Sequence, residues 1–463
     1  MTQLSTPESM RTVAPLGGHI RLFGLPFDLP LLTREEWFAC LSIVALPVWW
    51  LAGLLYYLPS LLLAAVLGRE LWATQRIQWS RPHLAVLFLL GFGCYQVGHL
   101  LAISADLSDL VRAIVTTFIP AGWIWYIQSR AVRLRLPVIA AALSLLMLEM
   151  LALVALLELP TAQQMFWPSS IPTLYAIALG KTSEINASFY LVPYWPHGNG
   201  SLFRYVLYFI YPELLGLISG AIACVALDIR PIDRRTAVWK WSMFALALLF
   251  ILLSGTRIVM AAMLPILGLR WLWSNWHRRS FRTLAFTAAA IMAFGLLVLP
   301  SGHEFLASHV TGTLTSANEF RADSSSLREE IYRQTWRAFV DNPIWGYAVK
   351  GESVDPYISF AVLGSHSFIL GNLLYTNGLA GSSLFVSFWA LILRWLYRTN
   401  AMQLSSPLCI CGLYSLASIT MSGVFDEPLA SLFLILFISV GWQRSPTVPP
   451  PHSFTSSPLL PAR

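Results

Sequence analysis

The stretch ALALLFILLSGTRIVMAAMLPILGL, Ala245–Leu269, carries a single charge, Arg257, in an otherwise apolar run. An arginine at the centre of a bilayer costs about 2.5–3.5 kcal/mol on insertion scales. Ser254, Gly255 and Thr256 stand immediately before it. Glycine permits a tight turn, and Ser254 or Thr256 can cap a following helix. The run therefore reads as two short helices that meet at a turn, provided that the turn lies at a membrane surface. The charges of the other loops decide which surface that is.

The chain has 463 residues, 56% hydrophobic and 11% charged, against about 25% charged in an ordinary soluble protein. This is the composition of an all-α polytopic membrane protein. The net charge of +7 does not point to a nucleic-acid partner, because most Lys and Arg stand in short loops between apolar runs, as membrane topology requires. A span needs roughly 17–25 apolar residues. About twelve are expected, near 37–54, 55–72, 83–103, 110–128, 137–158, 203–227, 240–254, 257–272, 283–300, 366–393, 407–421 and 428–442.

Arg76 with Arg81, Arg130 to Arg135, Arg230 to Lys240, Arg270 to Arg282, and Arg394 with Arg398 mark one set of loops. They alternate with loops poor in positive charge, so the positive-inside rule places the first set in the cytoplasm. Arg257 then lies at the outer face, at the start of a descending helix. The expected organisation is a cytoplasmic segment 1–36, a transmembrane domain 37–442 with large outer loops near 159–202 and 301–365, and a Pro/Ser-rich disordered tail 443–463. The first 36 residues show no cleavable signal pattern.

The outer loop 301–365 contains SSSLREEIYRQTWRAFVDNP, which reads as an amphipathic helix. Ser326 and Glu329 have capping-box spacing, and Asn342-Pro343 ends the element. Arg328, Arg333 and Arg337 decorate it; the last two share a face, and Glu329 or Glu330 can pair with Arg333. His366 follows where the next apolar run begins. A base that is neutral near pH 7, on the same side as several arginines, suits transfer of a group from a diphosphate to a hydroxyl. Arginine binds phosphate bidentately and stays charged, and histidine takes the acceptor's proton.

The other outer loop clusters Tyr190, Tyr194 and Trp195, rings on which sugar C–H faces can stack or which can form an interfacial belt. Arg204 and Glu213 stand at the outer end of the next span, either as functional groups or as partners of one another. Cys409 and Cys411 read as membrane-core residues. No metal or nucleotide motif is present, so no cofactor is expected.

Three motifs in order resemble the bacterial O-antigen ligase and polymerase superfamily: LLSGTRIVMAAMLPIL, LREEIYRQTWRAFVDNPIWGYAVKG and GSHSFILGNLLYTNGLAGSSLFV. Arg257 stands in the first. Arg328, Trp336, Ala338, Pro343 and Gly346 fill the second, and His366, Ser367, Leu370, Gly378 and Gly381 the third. The resemblance implies a GT-C-like membrane glycosyltransferase of the bacterial inner membrane, working at the periplasmic face without a metal and with inversion. Its implied donor is an undecaprenyl-diphosphate-linked glycan, and its implied acceptor a second lipid-linked glycan, lipid A-core or, as in a protein-glycosylating relative, a protein; the first two belong to O-antigen, lipopolysaccharide or exopolysaccharide synthesis. By position, Arg257 and Arg328 would hold the diphosphate, and His366 would be the general base or would orient the acceptor; apart from the resemblance, Arg204, Glu213, Arg333 and Arg337 are candidates for a supporting role from their placement. Two positions depart from the family's pattern: Tyr211-Pro212-Glu213 stands near a common Pro-Asn pair, and Ser367 where asparagine is frequent. The competing class is a flippase or other transporter, which would want charges at depth and internal repeats; no repeat is visible, and the charges gather at the ends of the spans.

Overall fold

Ser254 ends one helix and Arg257 begins the next, so the run Ala245–Leu269 is broken where Ser-Gly-Thr stands. The structure is a computed structural model. It describes residues 19–21, 28–30, 32–77, 80–132, 134–159, 166, 171–180, 189–197, 202–276, 278, 281, 283, 287, 322–354, 361–399 and 405–441.

The chain is a multi-pass helical membrane protein. Among the described residues six helices are long and apolar enough to cross a membrane: Leu84–Ala102, Leu107–Arg130, Leu136–Leu157, Arg234–Ser254, Arg257–Asn275 and Phe368–Arg398. Arg34–Val44 and Leu46–Ala52 make a seventh if the pair, bent by 53°, is one span. Ser406–Ala417 and Pro428–Gly441 are shorter apolar helices. Of the about twelve expected spans, six are long apolar helices among the described residues, and others fall on the bent pair or on shorter helices such as Leu58–Thr74, Pro212–Asp228, Ser406–Ala417 and Pro428–Gly441. Most of the expected span 283–300, and all of the tail 443–463, lie outside the described residues.

Two differences have plain physical causes. The expected span 203–227 starts as a strand, Leu202–Tyr205, and turns helical only at Pro212. Val206, Leu207 and Phe209 between them are buried without being helical. Apolar character demands burial, whereas proline at the first helical position fixes where the helix begins. In the other direction, the expected span 240–254 is a helix from Arg234 onward, capped by Asp233, whose carboxylate accepts from Thr236 N at 2.7 Å. Charge in a first turn does not end a helix.

The helix Pro212–Asp228 lies in the core, packed on Arg234–Ser254, Arg257–Asn275 and Ser406–Ala417. Gly216 and Gly220 let its neighbours approach. A Cβ at Gly216 would stand 2.8 Å from Ser254 Oγ, and one at Gly220 would stand 2.7 Å from Leu413. Small residues four apart are the usual means of close helix contact in membranes.

This central helix has two different ends. At one, Asp228 pairs with Arg270 and accepts from Ser406 N at 2.6 Å. Lys240 Nζ donates to the last carbonyls, Leu227 O at 3.0 Å and Ile229 O at 2.9 Å. At the other end stand Glu213, Arg204 and the Ser254–Arg257 turn.

Candidate active site

The turn before Arg257 is held from three sides. Gly255 takes the left-handed conformation at φ +60°. Ser254 Oγ donates to Ile251 O at 2.7 Å and accepts from Thr256 N at 3.2 Å, while Thr256 Oγ1 donates to Pro212 O at 3.1 Å. Arg204 closes the third side. Its strand, Leu202–Tyr205, pairs antiparallel with Tyr194–His197, which sets Arg204 opposite Trp195. Arg204 Nε donates to Ser254 O at 2.9 Å, and its terminal nitrogen pairs with Glu213 at 3.1 Å. The structure thus joins Arg204 and Glu213 to each other, as a brace for the turn. Arg257 begins its helix with an exposed side chain. First-turn N–H groups and a guanidinium at one helix end both favour an anion.

The helix Ala322–Asp341 approaches from the opposite side of the sequence. Ile331, Thr335 and Phe339 form its buried stripe. Tyr332 Oη donates to His366 O at 3.3 Å, and Thr335 Oγ1 accepts from Gly364 N at 3.1 Å. One face of this helix therefore holds the backbone on both sides of Ser365. Arg328 stands one turn before Tyr332, and its charge acts on the His366 ring.

His366 is half-buried and has φ +66°, a left-handed conformation that costs a non-glycine residue on the order of 1–3 kcal/mol. The tertiary contacts just described hold it there. Ser365 Oγ lies 2.5 Å from Val362 O and 2.6 Å from His366 Nδ1. A serine has one proton to donate, and the carbonyl can only accept it. Ser365 therefore accepts from Nδ1–H, which leaves the lone pair on Nε2. Burial first, then the charges of Arg328 and Lys350, push the imidazole's pKa down to about 4 against a smaller opposing effect of Glu213. The ring is neutral at pH 7, with a free basic nitrogen.

Two glycines join the loop after the amphipathic helix to the helix after His366. Gly346 has φ +76° and Gly378 φ +57°. A Cβ at Gly378 would meet Ile344 O at 2.3 Å, and one at Gly346 would meet Gly378 N at 2.6 Å. Across this contact Tyr347 N donates to Tyr375 O at 2.9 Å, and Leu379 N to Pro343 O at 2.8 Å.

Residues 242–386 match the family model of the O-antigen ligases. Over this region the chain is similar to the O-antigen ligase and polymerase superfamily. No curated protein matches the chain. The matched region contains the Arg257 turn, the amphipathic helix, the glycine contact and His366, while Arg204 and Glu213, which brace the turn, lie outside it.

Not every expected residue of this O-antigen ligase region, or of the loops around it, faces the site. Arg333 pairs with Glu330 and points outward with Arg337, on a face that also exposes Trp336 and Val340. An apolar and cationic face of this kind suits the membrane interface. Tyr194 is a correction: it is 3% exposed and belongs to the core, because strand alternation turns it inward where it turns Trp195, 40% exposed, outward. Tyr190 is half-buried and bridges to Pro172. Cys409 and Cys411 are buried in the helix Ser406–Ala417. Sequence reading missed Lys350 and Ser365. Each stands beside a motif residue, but only the folded chain shows which charge and which hydroxyl reach the imidazole.

Proposed function

We propose that the chain is a membrane glycosyltransferase of the polymerase or ligase type, GT-C-like in organisation, that works on the periplasmic side of the bacterial inner membrane. Its donor is an undecaprenyl-diphosphate-linked glycan, and its acceptor is a hydroxyl of a second lipid-linked glycan or of lipid A-core. The acceptor oxygen attacks the anomeric carbon as His366 Nε2 takes the hydroxyl proton. The bond from that carbon to the diphosphate oxygen breaks with inversion, and the diphosphate leaves with the electron pair. Arg257 and Arg328 carry the negative charge that develops there. Ser365 holds the imidazole, and Arg204 with Glu213 holds the turn that presents Arg257.

The observation that carries this reading is His366. A neutral imidazole with its Nδ1 proton engaged stands under the charges of Arg328 and Lys350, in a region matched by the O-antigen ligase family. Binding an anionic diphosphate next to those cations offsets their effect and makes Nε2 a stronger base when it is needed. The test is reconstitution of the full chain in lipid discs with an undecaprenyl-diphosphate-linked oligosaccharide. Glycan transfer is expected from the wild type and not from His366→Ala; near-normal product from that variant would remove the proposed base. Glycan profiling of a deletion strain then separates the acceptors. Single repeats on lipid A-core indicate a polymerase, and long polymer left on the lipid carrier indicates a ligase.

A further inference from the structure

Phe368, two residues after His366 in the chain, lines a cavity of about 260 Å³. Its walls come from the N-terminal helices Leu84–Ala102 and Leu107–Ala113, the segment Phe368–Tyr375 and the short helix Gly423–Asp426. Most of the N-terminal part lies outside the family match. Lys350 lines this cavity, and its charge is one of those that act on the His366 ring.

Its charges cancel. Arg112 and Lys350 are balanced by Asp109 and Asp426, and Arg112 is paired directly with Asp426. A diphosphate needs surplus positive charge, which this cavity does not offer. It offers instead hydrogen-bond donors and acceptors beside flat aromatic faces. Phe92, Phe368 and Phe385 pack edge-to-face or tilted, with centroids 5.1–5.4 Å apart. Asn372 also lines the cavity. Its Oδ1 is shielded from solvent and has no hydrogen-bond partner, although its Nδ2 reaches Ser422 O at 3.5 Å. A buried acceptor left unmade is destabilising unless a ligand satisfies it. The volume lies just below the ~300 Å³ at which small-molecule sites begin, the scale of one monosaccharide residue rather than of a lipid chain.

We propose that this cavity binds the terminal sugar of the acceptor, with the polar side chains of Gln96, Thr116 and Asn372 meeting its hydroxyls and the ring lying on the phenylalanines, so that the attacking hydroxyl faces His366. The proposal rests on the group-transfer reading, in which Arg257 and Arg328 take the donor.

The test uses the full chain in lipid discs with Thr116→Cys placed in the cavity wall and Cys94→Ala removing an exposed thiol. Alkylation of the introduced thiol by N-ethylmaleimide is followed with three probes: rough lipopolysaccharide, an undecaprenyl-diphosphate-linked oligosaccharide, and undecaprenyl diphosphate alone. At least one sugar-bearing probe is expected to slow alkylation about tenfold or more, and undecaprenyl diphosphate alone to change it less than twofold. Adding Asn372→Ala should raise the half-protecting concentration of the sugar-bearing probe about tenfold. Equal protection by undecaprenyl diphosphate would make the cavity a diphosphate site and overturn the proposal. Absence of protection by both sugar-bearing probes, or protection indifferent to Asn372→Ala, would overturn it as well. Protection without glycan transfer by the wild type would leave the sugar site standing and remove the group-transfer reading instead.

Discussion

The two ends of the central helix Pro212–Asp228 solve the same problem in opposite ways. Both place charged groups at the edge of an apolar bundle. At the Asp228 end the carboxylate takes Arg270 and Ser406 N, and Lys240 takes the last helical carbonyls, while Arg270 Nη1 stays buried without a hydrogen-bond partner. The Glu213 end differs in exposure and conformation: Arg204 and Glu213 brace a turn, Arg257 and Arg328 are exposed, and His366 is held in an unfavourable backbone conformation. Closed polar groups stabilise a fold, whereas strain persists where the surroundings over-determine it, commonly at functional sites.

Substitutions at the two ends should therefore separate activity from stability. His366→Ala is expected to lower glycan transfer about 10²–10⁴-fold, and Arg257→Ala or Arg328→Ala about 10²–10³-fold each. Thermal unfolding in detergent should stay near the wild-type midpoint for all three. Loss of folded protein in these variants would break the contrast between the ends.

Asp228→Ala tests the opposite end. It leaves Arg270, 18% exposed, without its carboxylate, and removing one partner of a buried pair costs roughly 3–5 kcal/mol. A large drop in the unfolding midpoint is expected, with turnover per folded molecule within about twofold of the wild type. A selective loss of turnover would show that the two ends are coupled.

The pH profile sharpens the comparison further. Only neutral His366 can accept a proton, and its pKa is depressed to about 4 by burial and by the charges of Arg328 and Lys350. The kcat/KM for the donor reports the free enzyme. It should stay level as pH falls through 6.5 and decline only as the pH nears the depressed value. Lys350→Ala removes one of the two cations and should move that decline to higher pH. The same profile in both proteins would mean that another group is the base.

The smallest expected effect belongs to Ser365→Ala. One hydrogen bond to Nδ1 is worth about 1 kcal/mol, or roughly fivefold in rate. The loss should appear in kcat rather than in the donor's KM, since the imidazole remains but is less well held.

Much of the site was legible in the sequence, because polar residues that recur in short motifs stand out against an apolar background. Arg257 after Ser-Gly-Thr, Arg328 on an amphipathic helix and His366 at the head of an apolar run could each be assigned to one membrane face from loop charges. The helices were less legible. Val206, Leu207 and Phe209 are as apolar as a span but are buried without being helical, and Pro212 rather than hydropathy starts the helix. Tyr194 and Trp195 are adjacent and similar in composition, yet only one is available to a ligand. The fate of Arg204 was left between two options until its partners were seen.

The sequence by itself determined the membrane class and the break at Ser254–Thr256, and it carries the expectation that Arg257, Arg328 and His366 share one face. Those follow from hydropathy, turn chemistry and charge asymmetry, which are local or additive along the chain. Only the tertiary structure decided which groups meet: Arg204 on Ser254 O across 50 residues, Tyr95 on Trp345 O across 250, and Asn372 among the residues that line a cavity of balanced charge. Periodicity places a residue on a face of its own element. Which element that face meets is settled by the packing of the whole bundle, through close approaches such as those at Gly216 and Gly378.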